Sequence, residues 1–125
     1  MAAKPKILII EDDGFLLQMY SAKLEMEGYE VISAQDGQKG LKIALKERPD
    51  LIILDLKLPE LDGFQVLQKI KKNKKTSEIP VLILTNLSQK QDIDQCLDLG
   101  AVDYLIKAHF VPSEVIERIK KILQG

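Results

Sequence analysis

The sequence predicts a single α/β domain: five parallel strands in a doubly wound sheet, each followed by a helix, with helices on both faces. Three observations lead there. Short apolar runs and segments of helical period alternate along the 125 residues. The runs are apolar throughout rather than alternating, as expected of strands buried on both sides. Polar residues then gather at the strand ends: Glu11-Asp12, Asp55, Thr85 and Lys107. In open sheets of this kind, ligands bind outside the carboxyl ends of the strands.

Each element has its own signal. Lys6 to Glu11 reads as a buried strand. Gly14 to Glu27 reads as a helix, with Leu17, Tyr20 and Leu24 at helical spacing and Gly28 as its stop. Tyr29 to Ala34 is the second strand. Asp36 is placed to cap the next helix, which turns Leu41, Ala44 and Leu45 inward. That helix should end by Arg48, because Pro49 disfavours a helical residue before it. Leu51 to Asp55 is the third strand, followed by a loop through Pro59 and Gly63. Phe64 to Lys72 is a helix facing inward with Leu67 and Ile70. Val81 to Thr85 is the fourth strand, Gln89 to Leu99 a weaker helix stopped at Gly100, and Asp103 to Ile106 the fifth strand. Pro112 suits the first turn of the last helix, expected to bury Val115, Ile116, Ile119, Ile122 and Leu123.

Bulk properties narrow the function classes. The apolar fraction of 46% is that of an ordinary globular domain. A formal net charge of -1 argues against nucleic-acid or membrane-surface binding driven by bulk charge. No apolar segment is long enough to span a bilayer, and the segment ahead of the first strand is too short for a secretory leader. The lone Cys96 permits no internal disulfide. Together these predict a cytoplasmic protein with no nucleic-acid or membrane partner.

Asp55 carries the chemical argument. A carboxylate directly after Leu51-Ile52-Ile53-Leu54 adds nothing to a core and stands where the strand emerges. Its oxygen is a nucleophile for phosphorus, and both reactants are negative, so the attack needs a cation between them. Two carboxylates about 4 Å apart repel by roughly 4 kcal/mol at an effective dielectric near 20. A divalent cation relieves that repulsion, and hard oxygen donors favour magnesium. Glu11, Asp12 and Asp55 supply the donors, while Lys107 and Thr85 are placed to neutralise and hydrogen-bond phosphoryl oxygens. The competing reading of Glu11-Asp12 as simple helix-capping acids does not account for Asp55, Thr85 and Lys107 falling at the same sheet edge.

At these residues the chain resembles the response-regulator receiver domains, the CheY-like family of two-component signalling, over nearly its full length. The segments that carry the likeness are Ile7-Leu8-Ile9-Ile10-Glu11-Asp12-Asp13, Leu54-Asp55-Leu56-Lys57-Leu58-Pro59 with Asp62-Gly63, Leu84-Thr85, and Gly100-Ala101-Val102-Asp103-Tyr104-Leu105-Ile106-Lys107. The resemblance implies a flavodoxin-like (βα)5 fold and a single receiver domain over residues 1–125 with no output domain. It implies that Asp55 is the phosphoacceptor and that Glu11 and Asp12 hold magnesium or manganese. The Lys57 carbonyl would be a further ligand beside Asp55, with Asp13 outside the set. Thr85 and Tyr104 match the family's switch pair, and Lys107 its phosphate-contacting lysine. The implied phosphodonor is a histidine kinase or phosphotransfer protein. The implied output surface, for a downstream protein, is the fourth helix, fifth strand and fifth helix. The chain is then a phosphoacceptor rather than an enzyme.

Three features depart from the family pattern. Ala108 follows Lys107 where proline is common, and the loop is one residue longer, leaving a trans and a strained cis route both open. Asn86 stands where a small residue is usual and is expected to narrow the approach to Asp55. Lys57 and Leu87 occupy positions that tune the acyl-phosphate lifetime, and they predict slow autodephosphorylation. Other functions fit less well. A receiver-fold interaction module that is never phosphorylated is the main alternative. An aspartate-nucleophile phosphatase wants an acid where Lys57 stands, and a nucleotide binder wants a glycine-rich loop where Glu11-Asp12-Asp13-Gly14 stands. His109 is expected on the surface, Cys96 in the core beside Leu97, and the lysines from Lys69 to Lys75 in solvent.

Overall fold

A computed structural model describes residues 3–125. Met1 and Ala2, which open the segment ahead of the first strand, lie outside the described residues. The elements are β1 (Lys6–Ile10), α1 (Gly14–Met26), β2 (Glu30–Ala34), α2 (Gly37–Glu47), β3 (Leu51–Leu54), α3 (Gly63–Lys72), β4 (Val81–Thr85), α4 (Lys90–Asp98), β5 (Asp103–Ile106) and α5 (Pro112–Gln124). A 3-10 turn at Lys107–His109 joins β5 to α5. The strands form one parallel sheet in the order β2-β1-β3-β4-β5. That order reverses between β1 and β3, and the crevice at such a reversal is where ligands bind.

Two apolar cores lie on the two faces of the sheet. One gathers Leu8, Ile10, Ile52, Leu54 and Ile83 with Val66, Leu67 and Ile70 of α3 and Cys96 of α4. The other gathers Ile7, Ile9, Ile53, Leu82 and Leu105 with Leu17, Tyr20 and Leu24 of α1 and Val115, Ile116 and Ile119 of α5. Alternate residues of each strand feed opposite cores, so neither face tolerates polar side chains. The two edge strands, β2 and β5, are the exceptions and are partly exposed.

The helix boundaries follow local chemistry. The Asp13 carboxylate caps α1 by accepting from the Phe15 and Leu16 amides at 3.0 and 3.1 Å. Asp36 caps α2 through Lys39 at 2.8 Å, as expected. Asp62 and Gln65 form a reciprocal capping box at α3. Gly28 and Gly100, at φ of 96° and 106°, supply the left-handed residues that follow α1 and α4.

Some expectations need correction. Ile122 and Leu123, in the last turn of α5, pack against the core but stay partly exposed. Cys96 is fully buried while Leu97 is exposed, since adjacent residues on a helix point about 100° apart. Lys71 is not a solvated lysine. Its ammonium donates to the Ser77 and Ile79 carbonyls at 3.1 and 2.7 Å and closes the α3–β4 connection. Burial lowers the Lys71 pKa from the usual lysine value.

Two glycines let the β3–α3 loop close over the sheet edge. A Cβ at Gly37 would fall 1.7 Å from the Leu61 carbonyl oxygen, and one at Gly63 would fall 2.2 Å from the Asp55 carbonyl oxygen. Neither contact has a flexible side chain to give way. Gly63→Ala is therefore expected to destabilise the fold by about 1–3 kcal/mol, the range for overpacking at a rigid site. Urea unfolding measures this, and a change within 0.5 kcal/mol would contradict the close approach.

Candidate functional site

The polar strand ends do converge. Glu11 follows β1 and its amide donates to the Ala34 carbonyl at 3.0 Å, extending the ladder by one residue. Asp55 follows β3 and its amide donates to the Ile10 carbonyl at 3.0 Å. These backbone bonds hold the two acids side by side. Asp55 is 6% exposed and Glu11 4%, whereas Asp12 faces solvent. Oxygens of Glu11, Asp12 and Asp55 all lie within 4.8 Å of one another.

Lys107, from the turn after β5, closes the cluster. Its ammonium lies 2.8 Å from Asp55 Oδ2 and 2.5 Å from Glu11 Oε1. The other Asp55 oxygen, Oδ1, accepts from the Leu56 amide at 2.7 Å and more distantly from the Lys57 amide at 3.4 Å. Glu11 Oε2 accepts from the Asp13 amide at 3.1 Å. Burial raises the Glu11 pKa from its ordinary value, against the lowering by Lys107 and the Asp13 amide. Burial also opposes the charge on Lys107, but its bonds to Asp55 and Glu11 prevail and hold its pKa above that of a free lysine.

The remaining predicted residues fall around this centre. Thr85 is buried at the end of β4, and its hydroxyl accepts weakly from the Leu87 amide at 3.4 Å. Tyr104 is half-buried, and its hydroxyl donates to the Leu87 carbonyl at 2.7 Å. Burial pushes the Tyr104 phenol up to about 12, so it stays protonated and remains a donor. Asp13 is occupied as the α1 cap. His109 is exposed. Lys57 lies in the loop directly after Asp55, with its side chain in solvent.

The loop after Lys107 takes the trans route: every peptide bond among the described residues is trans. The extra residue is absorbed by the 3-10 turn. Asn86 does more than occupy space, since its side-chain oxygen accepts from the Ala108 amide at 3.1 Å. Sequence reasoning missed this bond. The cue was that both departures sit just beyond the last strand pair, Thr85 with Ile106: Asn86 one residue past it and Ala108 two. It also missed the contact of Gln35, whose side-chain nitrogen reaches the Asp12 carbonyl at 3.5 Å.

A receiver-domain family model, described as the response regulator receiver domain, matches residues 7–120. The chain belongs to this family. It is a receiver module of two-component signalling. It is 48% identical over 120 residues to the DNA-binding dual master transcriptional regulator RpaA of Synechocystis, covering 96% of this chain and 49% of that protein. It is 42% identical over 119 residues to the alkaline phosphatase synthesis transcriptional regulatory protein PhoP of Bacillus subtilis, covering 95% of this chain and 48% of that protein. The chain thus spans about half the length of the curated relatives it matches. Among solved structures, a CheY-like receiver domain protein from Methanospirillum hungatei superposes with a TM-score of 0.90 at 30% identity, covering 97% of this chain and 94% of that one.

The donor set of this receiver suits a divalent metal. Its three carboxylates supply only oxygen, the ligand type of hard cations. One ammonium against three carboxylates leaves two negative charges unbalanced, and one edge of the cluster opens to water through Asp12. Lys107 is thus the counter-charge for a pair of buried acids. Removing one member of such a cluster strands the others. In chelator, Lys107→Met is expected to melt lower by about 4–8 °C, equivalent to about 1–2 kcal/mol. Added Mg2+ should close most of that gap. Melting curves in EDTA and in Mg2+ test this, and an equal Mg2+ response in both proteins would contradict it.

Proposed function

We propose that this receiver accepts a phosphoryl group on Asp55 in a metal-dependent reaction and thereby changes its partner-binding surface. One observation carries the reading. A buried aspartate at the carboxyl edge of the sheet has two further acids within 4.8 Å and a lysine ammonium at 2.8 Å. Glu11, Asp12, Asp55 and the Lys57 carbonyl are the proposed ligands of Mg2+ or Mn2+. A bound metal ion supplies charge that lets an anionic carboxylate approach an anionic phosphoryl group.

The chain's own groups do the rest. An Asp55 oxygen forms the new bond to phosphorus as the phosphorus–nitrogen bond of a phosphohistidine donor breaks, and the departing imidazole retains a proton. The Leu56 amide, now 2.7 Å from Asp55 Oδ1, holds the carboxylate in place. Lys107 leaves its pairing with Glu11 to meet a phosphoryl oxygen, and the Thr85 hydroxyl turns to donate to another. Phosphorylation adds about −1.5 to −2 of charge beside these groups.

The donor is a histidine kinase or phosphotransfer protein. The responding surface comprises α4, β5 and α5, because Tyr104 of β5 is tied to the loop that precedes α4. The module is a phosphoacceptor that dephosphorylates itself at most slowly, not an enzyme with turnover, and it works in the cytoplasm. The DNA binding named for the Synechocystis relative is not assigned to these residues, whose net charge is -1. The alternative of an interaction module that is never phosphorylated leaves the paired acids and Lys107 without a role.

Phosphoramidate with Mg2+ should add one phosphoryl group, seen by intact-mass spectrometry and absent in Asp55→Asn. An unmodified wild-type chain, or a modified Asp55→Asn, would contradict the assignment. Lys57→Asn combined with Leu87→Glu should then shorten the phosphoryl lifetime by about tenfold, or ~1.4 kcal/mol in barrier. An unchanged lifetime would remove Lys57 and Leu87 as its determinants.

A further inference from the structure

We propose that Asn86 is a positioning residue that aims Lys107, and that it can act only because residue 108 is not proline. The consequence for catalysis rests on the phosphoacceptor reading of Asp55, but the aim of Lys107 does not. The β4–β5 ladder ends where Thr85 pairs with Ile106. Asn86 and Lys107 are the next residue on each strand, and nothing in the backbone ladder fixes the chain beyond them. The 3-10 turn closes itself weakly, through the Phe110 amide at 3.4 Å from the Lys107 carbonyl. The firmer tie is the Ala108 amide donating to Asn86 Oδ1 at 3.1 Å.

That bond acts directly beside the lysine. Ala108 N is bonded to the Lys107 carbonyl carbon, so holding the amide fixes the plane from which the Lys107 side chain departs. From that plane the ammonium reaches 2.8 Å from Asp55 and 2.5 Å from Glu11. Only the carbonyl end of the Asn86 side chain can accept an N–H, so the contact also sets which way the amide turns. A proline at 108 has no N–H to offer. The two unusual residues therefore satisfy each other. Asn86 carries the pairing of β4 and β5 past the end of their ladder, with a side chain where the backbone has stopped.

The native Cys96 allows a clean test. Residues 1–95 as a thioester can be joined to synthetic peptide 96–125 without altering the sequence, and the peptide can carry a single 15N-labelled side chain at Lys107. Replacing the Ala108 amide by an ester deletes the N–H, sets an oxygen in its place and weakens the Lys107 carbonyl as the acceptor for the Phe110 amide. Asn86→Ala deletes the acceptor. Each change alone should move the Lys107 ammonium resonance and slow phosphoramidate labelling of Asp55 by about threefold, the lower end for losing one exposed hydrogen bond. The two changes combined should do no more than either alone, with melting temperatures nearly constant throughout. A Lys107 resonance unmoved by Asn86→Ala would overturn the inference, as would effects that add. If the wild-type chain takes no phosphoryl group while the resonance shifts remain non-additive, the reading of Asp55 fails and the role of Asn86 stands.

Discussion

The ion cluster of Lys107 with Glu11 and Asp55 is the interaction around which the rest of the receiver is arranged. It is an unbalanced cluster at the end of an apolar sheet. Two buried carboxylates share one ammonium, and a third carboxylate stands at the rim. Burying like charges together costs several kcal/mol unless counter-charge and hydrogen bonds are supplied. Here three backbone amides and one lysine supply part of what is needed. On the proposed function, the remaining negative charge is what a cation would balance when a phosphoryl group arrives. Full neutralisation would make the fold steadier and the site idle.

Such a cluster needs a stiff frame, because two like charges held side by side push apart. The frame is the pair of cores on the two faces of the sheet. β1 and β3 are adjacent, and each is packed from above and below by fully buried Ile and Leu side chains. Neither strand can slide by one residue without turning its polar terminus into a core. The register that places Glu11 beside Asp55 is thus marked by the polar ends of the strands, since both faces of the strands are apolar. The β3–α3 loop is held just as closely, since Gly37 and Gly63 bring backbone against backbone where no Cβ fits.

Much of this was legible in the residues. Four-residue runs such as Leu51-Ile52-Ile53-Leu54, bounded by caps and glycines, define strands whose neighbours are helices, and topology then brings their ends together. Two of the differences concern groups whose partners lie beyond the local segment, and a third comes from helical geometry. Lys71 looked solvated among other lysines, but its ammonium finds carbonyls six and eight residues on. Local cost favours a trans Lys107–Ala108 bond by about 2.5–4 kcal/mol, but the contact that fixes the path of that loop is to Asn86, 22 residues earlier. Cys96 and Leu97 were assigned to one face by adjacency, although helical geometry separates neighbours.

The contacts at Leu87 indicate how a change at Asp55 can travel outward. Leu87 is held from two sides. Its amide reaches the Thr85 hydroxyl at 3.4 Å, and its carbonyl accepts from the Tyr104 hydroxyl at 2.7 Å. The first distance is near the limit of a hydrogen bond and the second is close to ideal. A Thr85 hydroxyl that turns toward a phosphoryl oxygen therefore gives up little, whereas Tyr104 keeps its hold on the loop before α4. The loop then has one firm tether, to β5, instead of a shared one. Its position, and that of α4 behind it, would on the proposed function then follow the Tyr104 ring. On the proposed function, the weakness of the Thr85 contact is what lets an event at Asp55 be registered on the α4–β5–α5 surface at small energetic cost.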